Sequence, residues 1–287
     1  MSPTTPSPAS DTGALLRDPR RLVFVGGLHR SGTTPLARAL AEHPQIGGLA
    51  DTGVKEDEGP HLQDVYPAAT NYGGPGRFAH AQAAHLTEFS PLVTPDNAER
   101  LLRAWAPYWD AGKHLLIEKS PPNLVMGRFL QALFPGSRMI VVLRHPVVVA
   151  LSTSKWRRLL SRHWQNHTSL DALVGHWVHA HRVFVGDLPR LQHVHVLRYE
   201  DLVGAPEREL AKIQQFLGLD TPIPSSSLRR SHSDRYEARW EAMRTGSWWQ
   251  RRLRRRIEHR HAAAVRAFGY DIADLNADTE LVLPTEP

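Results

Sequence analysis

Residues 27 to 35 read Gly-Leu-His-Arg-Ser-Gly-Thr-Thr-Pro. Gly27 and Gly32 have the G-x-x-x-x-G spacing of a loop that cradles phosphate. Such a loop works because successive backbone N–H groups and a helix N-terminus point at one anion, and glycines let the backbone approach it closely. A nucleoside triphosphatase continues with Lys and then Ser or Thr. Here Thr33 stands in place of that Lys and Thr34 follows. Losing the lysine that holds the β- and γ-phosphates argues against hydrolysis of a magnesium-bound triphosphate, and leaves a P-loop kinase or hydrolase as the alternative reading. Arg30, inside the loop, adds a cation for an anionic ligand. Thr34 is expected to cap the following helix and Pro35 to open it.

Three further groups of residues suit anion or proton chemistry. One is Glu118-Lys119-Ser120-Pro121-Pro122-Asn123. The second is Arg144-His145-Pro146, where Pro146 should start a helix that carries Ser152 about two turns in. Arg144 and Ser152 could then hold one phosphate between them, the arginine by charge-assisted bonds. The third is Arg198-Tyr199-Glu200-Asp201. An acidic cluster, Glu56-Asp57-Glu58 with His61 after it, offers a general base. Its bland alternative is a solvated acidic loop.

The elements that must position these groups follow from the apolar pattern. Leu22–Val25, Leu115–Ile117, Met139–Leu143 and Val194–Leu197 are short apolar runs suited to buried parallel strands. Helical spacing marks Leu36/Leu40, Leu124/Phe129/Leu130/Leu133, Val148/Leu151/Trp156/Leu159 and Leu210/Ile213/Phe216, the last stopping at Gly218. Strands alternating with helices predict an α/β fold. Ligands of such sheets bind beyond the carboxyl ends of the strands. That rule brings the loop at Arg30, Lys119, Arg144 and Tyr199 to one edge. The Gly- and Pro-rich stretch from Ala50 to Thr94 is expected to be irregular and to serve as a lid or substrate loop.

The bulk properties narrow the options. The chain has 287 residues, a formal charge of +6 and no cysteine. Thiolate catalysis, disulfides and Cys-ligated metals are therefore excluded. No apolar stretch is long enough to span a membrane. The first residues lack the pattern of a signal peptide, so a cytoplasmic location is expected. Residues 1–18 are expected to form a disordered tail, 19–275 a single domain and 276–287 a second tail. His176, His179 and His181 do not present one clean ligand face, and no metal is expected. The run Trp248-Trp249-Gln250-Arg251-Arg252-Leu253-Arg254-Arg255-Arg256 could bind nucleic acid, but a helix with solvent-facing arginines is the commoner arrangement. No nucleic-acid partner is expected. Trp105, Trp109, Trp156 and Trp164 are candidates for an acceptor site or, more ordinarily, for the core.

These residues resemble a known family. Gly27 to Thr34 is similar to the 5′-phosphosulfate loop of sulfotransferases that use 3′-phosphoadenosine 5′-phosphosulfate (PAPS). Arg144 with Ser152 resembles their 3′-phosphate motif, spacing included. His43-Pro44 and the Arg198–Leu202 run add to the likeness, which spans roughly Arg21 to Leu219. It is nearest in flavour to the bacterial group related to tyrosylprotein sulfotransferases. The resemblance implies a P-loop-like three-layer α/β fold with a central parallel sheet flanked by helices. It also implies metal-free transfer of a sulfuryl group from PAPS to a hydroxyl. Arg30, Ser31, Gly32, Thr33 and Thr34 would hold the 5′-phosphosulfate, and Arg144 and Ser152 the 3′-phosphate. Tyr199 would lie near the nucleotide, and Lys119 at the transferring group. Relatives use Glu or His as the base. Glu58 is the first choice here, with Glu56 and Asp57 behind it, and Asp51 by an ungapped register from His43-Pro44. Arg235 or an arginine of the late basic run would close over the nucleotide. The acceptor would be a small-molecule or glycan hydroxyl, with a peptide tyrosine also possible.

Overall fold

The computed structural model describes residues 18–160, 169–228, 234–277 and 280–285. Its centre is a five-stranded sheet whose neighbouring strands all pair in parallel. The strands are β1 (Leu22–Gly27), β2 (Ile46–Gly48), β3 (Leu115–Lys119), β4 (Arg138–Leu143) and β5 (Val194–Arg198), in the spatial order 2-3-1-4-5. The apolar runs predicted as strands are β1, β3, β4 and β5. The helices are α1 (Thr33–Ala41), α2 (Pro95–Trp105), α3 (Gly127–Leu133), α4 (Pro146–Leu160), α5 (Leu170–Asp187), α6 (Tyr199–Gly204), α7 (Pro206–Leu217), α8 (Asp234–Thr245) and α9 (Trp248–Arg266).

Alternate strand residues point to opposite faces, and both faces here are covered. Leu22, Phe24, Met139 and Val141 join a core with Trp105 of α2, Phe129 of α3, Trp177 of α5, Trp240 of α8 and Ile257 of α9. Val23, Val25, Ile140 and Val142 join Leu36 and Leu40 of α1 and Leu210, Ile213 and Leu217 of α7. This is why the strands read as continuous apolar runs and not as alternating ones. The result is the three-layer α/β arrangement expected. The leading tail falls almost wholly outside the described residues. Leu281 and Leu283, in the segment read as a second tail, pack against the core.

The stretch from Ala50 to Thr94 is irregular, as predicted, and made largely of short 3₁₀ turns. It is pinned down all the same. Tyr66 and Phe78 are buried in the core. Gln63 staples one turn: its Nε2 donates to the Tyr66 carbonyl (2.7 Å), and its Oε1 accepts from the Val65 and Tyr66 N–H groups (2.6 and 3.0 Å). Arg128 of α3 grips the far end. Its guanidinium donates to both oxygens of Glu88 (2.6 and 2.7 Å) and to Asp187 of α5 (3.0 Å), while His85 meets the other Asp187 oxygen at 2.8 Å. Breaking a buried pair leaves an uncompensated charge. Arg128→Ala is therefore expected to lower unfolding free energy by about 3 kcal/mol, read as a drop in the urea midpoint. An unchanged midpoint would show that the clamp contributes nothing.

Candidate active site

The strand order sets β1 between β3 and β4, with β5 beyond. Their carboxyl ends therefore open onto one place. A cavity of about 460 Å³ lies there, lined by the phosphate loop, Arg144, Ser152, Tyr199, the acidic turn and the start of α8.

The loop leaves β1 and turns into α1 through Gly32, whose φ is +101°. A Cβ at this position would lie 2.1 Å from the Tyr199 ring, so only glycine fits. Gly32 is itself the N-cap, and α1 begins at Thr33. The expectation that Thr34 caps and Pro35 opens the helix is corrected by this. The left-handed glycine starts the helix earlier, and the Thr34 hydroxyl donates instead to Glu56 Oε2 (3.3 Å). The N–H groups of Thr33 and Thr34, in the first turn, have no partner inside the helix, and both residues line the cavity. Ser31 is not brought to the cavity. It is fully buried, and both its N–H and its hydroxyl donate to the Leu28 carbonyl (3.0 and 2.6 Å), which ties the loop from beneath.

Arg30, Arg144, Ser152, Tyr199, Arg235 and Tyr236 form one connected group. Arg30 Nε donates to Ser152 Oγ at 3.0 Å, and Arg144 Nη1 donates to the Arg30 carbonyl at 3.1 Å. The Arg144 guanidinium lies 4.3 Å from the centre of the Tyr199 ring. The Tyr236 hydroxyl donates to Ser152 Oγ (3.1 Å) and accepts from Arg235 Nη2 (2.9 Å). Ser152 therefore accepts from one guanidinium, that of Arg30, and from a phenol that Arg235 holds in turn. The rest of the Arg198–Leu202 run supports this group. Glu200 accepts the His145 N–H (2.9 Å) and the Tyr270 hydroxyl (3.2 Å).

The acidic turn forms the opposite wall. Lys119, at the end of β3, is buried and donates to Glu58 Oε1 (3.2 Å) and to the Glu56 carbonyl (2.9 Å). Behind them Gly59 is clamped. Its N–H donates to Glu118 (3.0 Å), and its carbonyl accepts from the Trp105 indole (3.1 Å). A Cβ there would stand 2.8 Å from both partners. Trp105 is thus a core residue that fixes the residue next to Glu58. Trp109 is likewise core, donating to the Ile117 carbonyl (2.9 Å). Trp164 and the side chain of Trp156 lie outside the described residues.

Of the four acids considered, Glu58 and Glu56 line the cavity. Asp57 turns away to Thr52, accepting its hydroxyl at 2.6 Å. Asp51 is exposed and does not line the cavity. Asp51, Glu56 and Asp57 all have positive φ, at 54, 56 and 50°. Such strain costs about 1 kcal/mol or more per residue and persists only where the surroundings enforce it. Burial pushes the Glu58 carboxyl up to about 7, against the opposing pull of Lys119. Burial, with the charges of Lys119, Lys55 and Arg30 after it, pulls the loop residue His29 down to about 3, so this cavity-lining imidazole is neutral.

The site therefore has a cationic end built for anions and a carboxylate poised to exchange a proton near neutrality. Sequence reasoning singled out its loop, Lys119, Arg144, Ser152, Tyr199 and Glu58. It left Arg235 as one of several options and missed Tyr236 and His29. The arginine run does not line the cavity. His176, His179 and His181 use ring nitrogens on backbone groups of Ala79 and Trp177.

Comparison with known proteins gives concordant results. The sulfotransferase family model matches residues 22–222. Nodulation protein NoeE of Sinorhizobium fredii is 30% identical over 224 residues, covering 69% of this chain and 50% of that protein. The omega-hydroxy-beta-dihydromenaquinone-9 sulfotransferase Stf3 of Mycobacterium tuberculosis is 32% identical over 111 residues, covering 36% of this chain and 29% of that protein. This chain spans half or less of the length of these curated relatives. Among solved structures, sulfotransferase STF9 from Mycobacterium avium matches with a TM-score of 0.50 at 14% identity, over 83% of this chain and 73% of that one, a likeness of fold.

Proposed function

The chain belongs to the sulfotransferase family, and on that premise we propose that it carries a sulfuryl group from PAPS to an acceptor hydroxyl by metal-free in-line transfer. One observation carries the reading. A single cavity joins a phosphate loop and the Arg144–Ser152 group to Glu58, whose carboxylate is held by the buried Lys119, a residue that does not itself line the cavity. We take residues 19–275 as the sulfotransferase unit.

The residues present fit a nucleotide that is anionic at both ends. Gly32, where a side chain would fill the floor, leaves the Tyr199 ring against the loop. The loop N–H groups with Arg30, Thr33 and Thr34 hold the 5′-phosphosulfate. Arg144 and Ser152 hold the 3′-phosphate, with Arg235 and Tyr236 completing that end. Glu58 takes the proton of the acceptor hydroxyl as its oxygen bonds to sulfur and the bond from sulfur to the phosphate oxygen breaks. Arg30 and Lys119 stabilise the charge that builds on the leaving oxygen. The products are a sulfate ester and 3′,5′-adenosine bisphosphate.

The cavity has the volume of a site for one drug-sized molecule. An acceptor larger than a few atoms therefore reaches in with its hydroxyl and keeps its bulk outside. The Stf3 relative is named for an omega-hydroxy acceptor. From it we carry over only the class, a small-molecule hydroxyl, and we keep a glycan hydroxyl and a peptide tyrosine as further candidates.

The test is calorimetric titration with 3′,5′-adenosine bisphosphate in the absence of magnesium. Wild type is expected to bind it. Arg144→Ala is expected to weaken binding by about 10- to 100-fold, the loss of a hydrogen bond to a charged group, and to leave turnover at saturation less affected. A folded wild type that ignores this nucleotide but binds ATP with magnesium would replace the proposal with the kinase reading.

A further inference from the structure

Helix α9 carries a feature that the cavity does not use. Its buried stripe is Arg254, Ile257, His261 and Val265. Arg254 is committed to the fold, donating to the carbonyls of Trp240 (2.7 Å) and Ala273 (3.0 Å) and pairing with Glu258. At 3.6 residues per turn the opposite face carries Trp248, Trp249, Arg252, Arg256 and Arg266, with Arg255 at its edge. All are exposed, and the two indoles stand 67% and 57% in solvent.

That face has no acid of its own. Glu258, the single carboxylate of α9, turns to Arg254. Asp171 at the start of α5 engages Arg256 (3.4 Å), Arg260 (2.9 Å) and His261 (3.0 Å). Arg252, Arg255 and Arg266 make no salt bridge among the described residues. The face is thus exposed and cationic, with two adjacent indoles at one end. Indoles favour the headgroup level of a bilayer, and arginines are drawn to anionic lipid. A reader of single-stranded nucleic acid spaces stacking platforms along a groove, whereas the two indoles here stand together at one end of the helix.

We propose that this face of α9 docks the protein on the surface of an anionic lipid bilayer. Arg252 and Arg255 meet headgroup phosphates, and Trp248 and Trp249 seat at headgroup level. The attachment is peripheral and reversible, and the inference stands independently of the reading of the cavity.

The test uses the full chain with vesicles of phosphatidylcholine alone and of phosphatidylcholine mixed with phosphatidylglycerol. Co-sedimentation with the mixed vesicles only, weakened at about 0.5 M salt where surface charges are screened, is the expected result. Arg252→Gln with Arg255→Gln should lower the partition coefficient by about tenfold or more. Trp248→Ala with Trp249→Ala should lower it as well, and abolish the blue shift in tryptophan emission on vesicle addition. Both pairs should keep the wild-type melting temperature and nucleotide affinity. Should a pair melt early, Arg255→Gln alone serves, with a loss of about fivefold. Equal partition into both kinds of vesicle, full partition by well-folded variants, or capture of an oligonucleotide in preference to vesicles would each overturn the proposal.

Discussion

Glu58→Gln is expected to lower turnover by about 10²- to 10⁴-fold, the usual contribution of a general base, with nucleotide affinity near wild type. Glutamine keeps an oxygen that can accept from Lys119 Nζ, so the 3.2 Å contact survives while the base is lost. The pH profile gives a second reading. Burial holds the Glu58 carboxyl near 7, and the base form is the deprotonated one. For the wild type, kcat/KM should therefore fall about tenfold per unit as pH drops below about 7 and level off above it. The glutamine variant should lose that limb. A flat wild-type profile between about pH 5 and 8, or a variant that retains the limb, would transfer the role to another group, and Glu56 is the acid next in line on the same wall.

Lys119→Ala should cost about 10²- to 10³-fold in turnover, the effect of removing one donor aimed at developing charge. A control is built into the geometry. Lys119 holds the Glu58 carboxyl down against burial, so its removal should move the acid limb to higher pH. An unmoved limb would show that Lys119 does not bear on the charge of Glu58. Arg30→Ala should show a similar loss of turnover, with a different companion effect. Arg30 donates to Ser152 and accepts from Arg144 through its carbonyl. Its side chain thus touches the group assigned to the 3′-phosphate, and nucleotide affinity should fall too. Near-normal turnover in either variant would remove that residue from the chemistry.

Much of this site can be read in the chain because its residues sit at strand ends. Arg144 follows an apolar run directly, and Lys119 and Tyr199 follow theirs after one intervening residue, so finding the strand locates the residue. Arg235 and Tyr236 have no such marker. They stand at the start of a charge-rich helix, and only the tertiary fold turns them to Ser152. His29 is hidden differently, because nothing in its neighbours' identity says that the loop buries it. Among the elements, β2 is a single isoleucine followed by two glycines, too short to form a run. Helix α5 is buried on most sides, at His176, Trp177, Val178, Ala180 and His181, so no one-sided stripe marks it. Helix α2 is not among the predicted helices, although Thr94 caps it, Pro95 opens it and Leu101, Leu102 and Trp105 are all buried. The base is the least legible part. Four acids lie within eight residues, and backbone turns of unusual sign decide which of them faces inward.

The strand order has a further consequence for ligands. Phe24 of β1 sits beside Glu118 on one side and Met139 on the other, partners about a hundred residues away along the chain. A molecule that touches the loop, Lys119, Arg144 and Tyr199 together has no counterpart site in the unfolded chain. Occupancy and unfolding are then linked by mass action, at about 2.7 kcal/mol for ligand at a hundredfold excess over its Kd. In a chain of this size each kcal/mol raises the melting temperature by about 2–4 °C. Heat alone can therefore search for the acceptor: a compound that raises the melting point only once 3′,5′-adenosine bisphosphate is bound marks itself as a candidate before any sulfate ester has been detected.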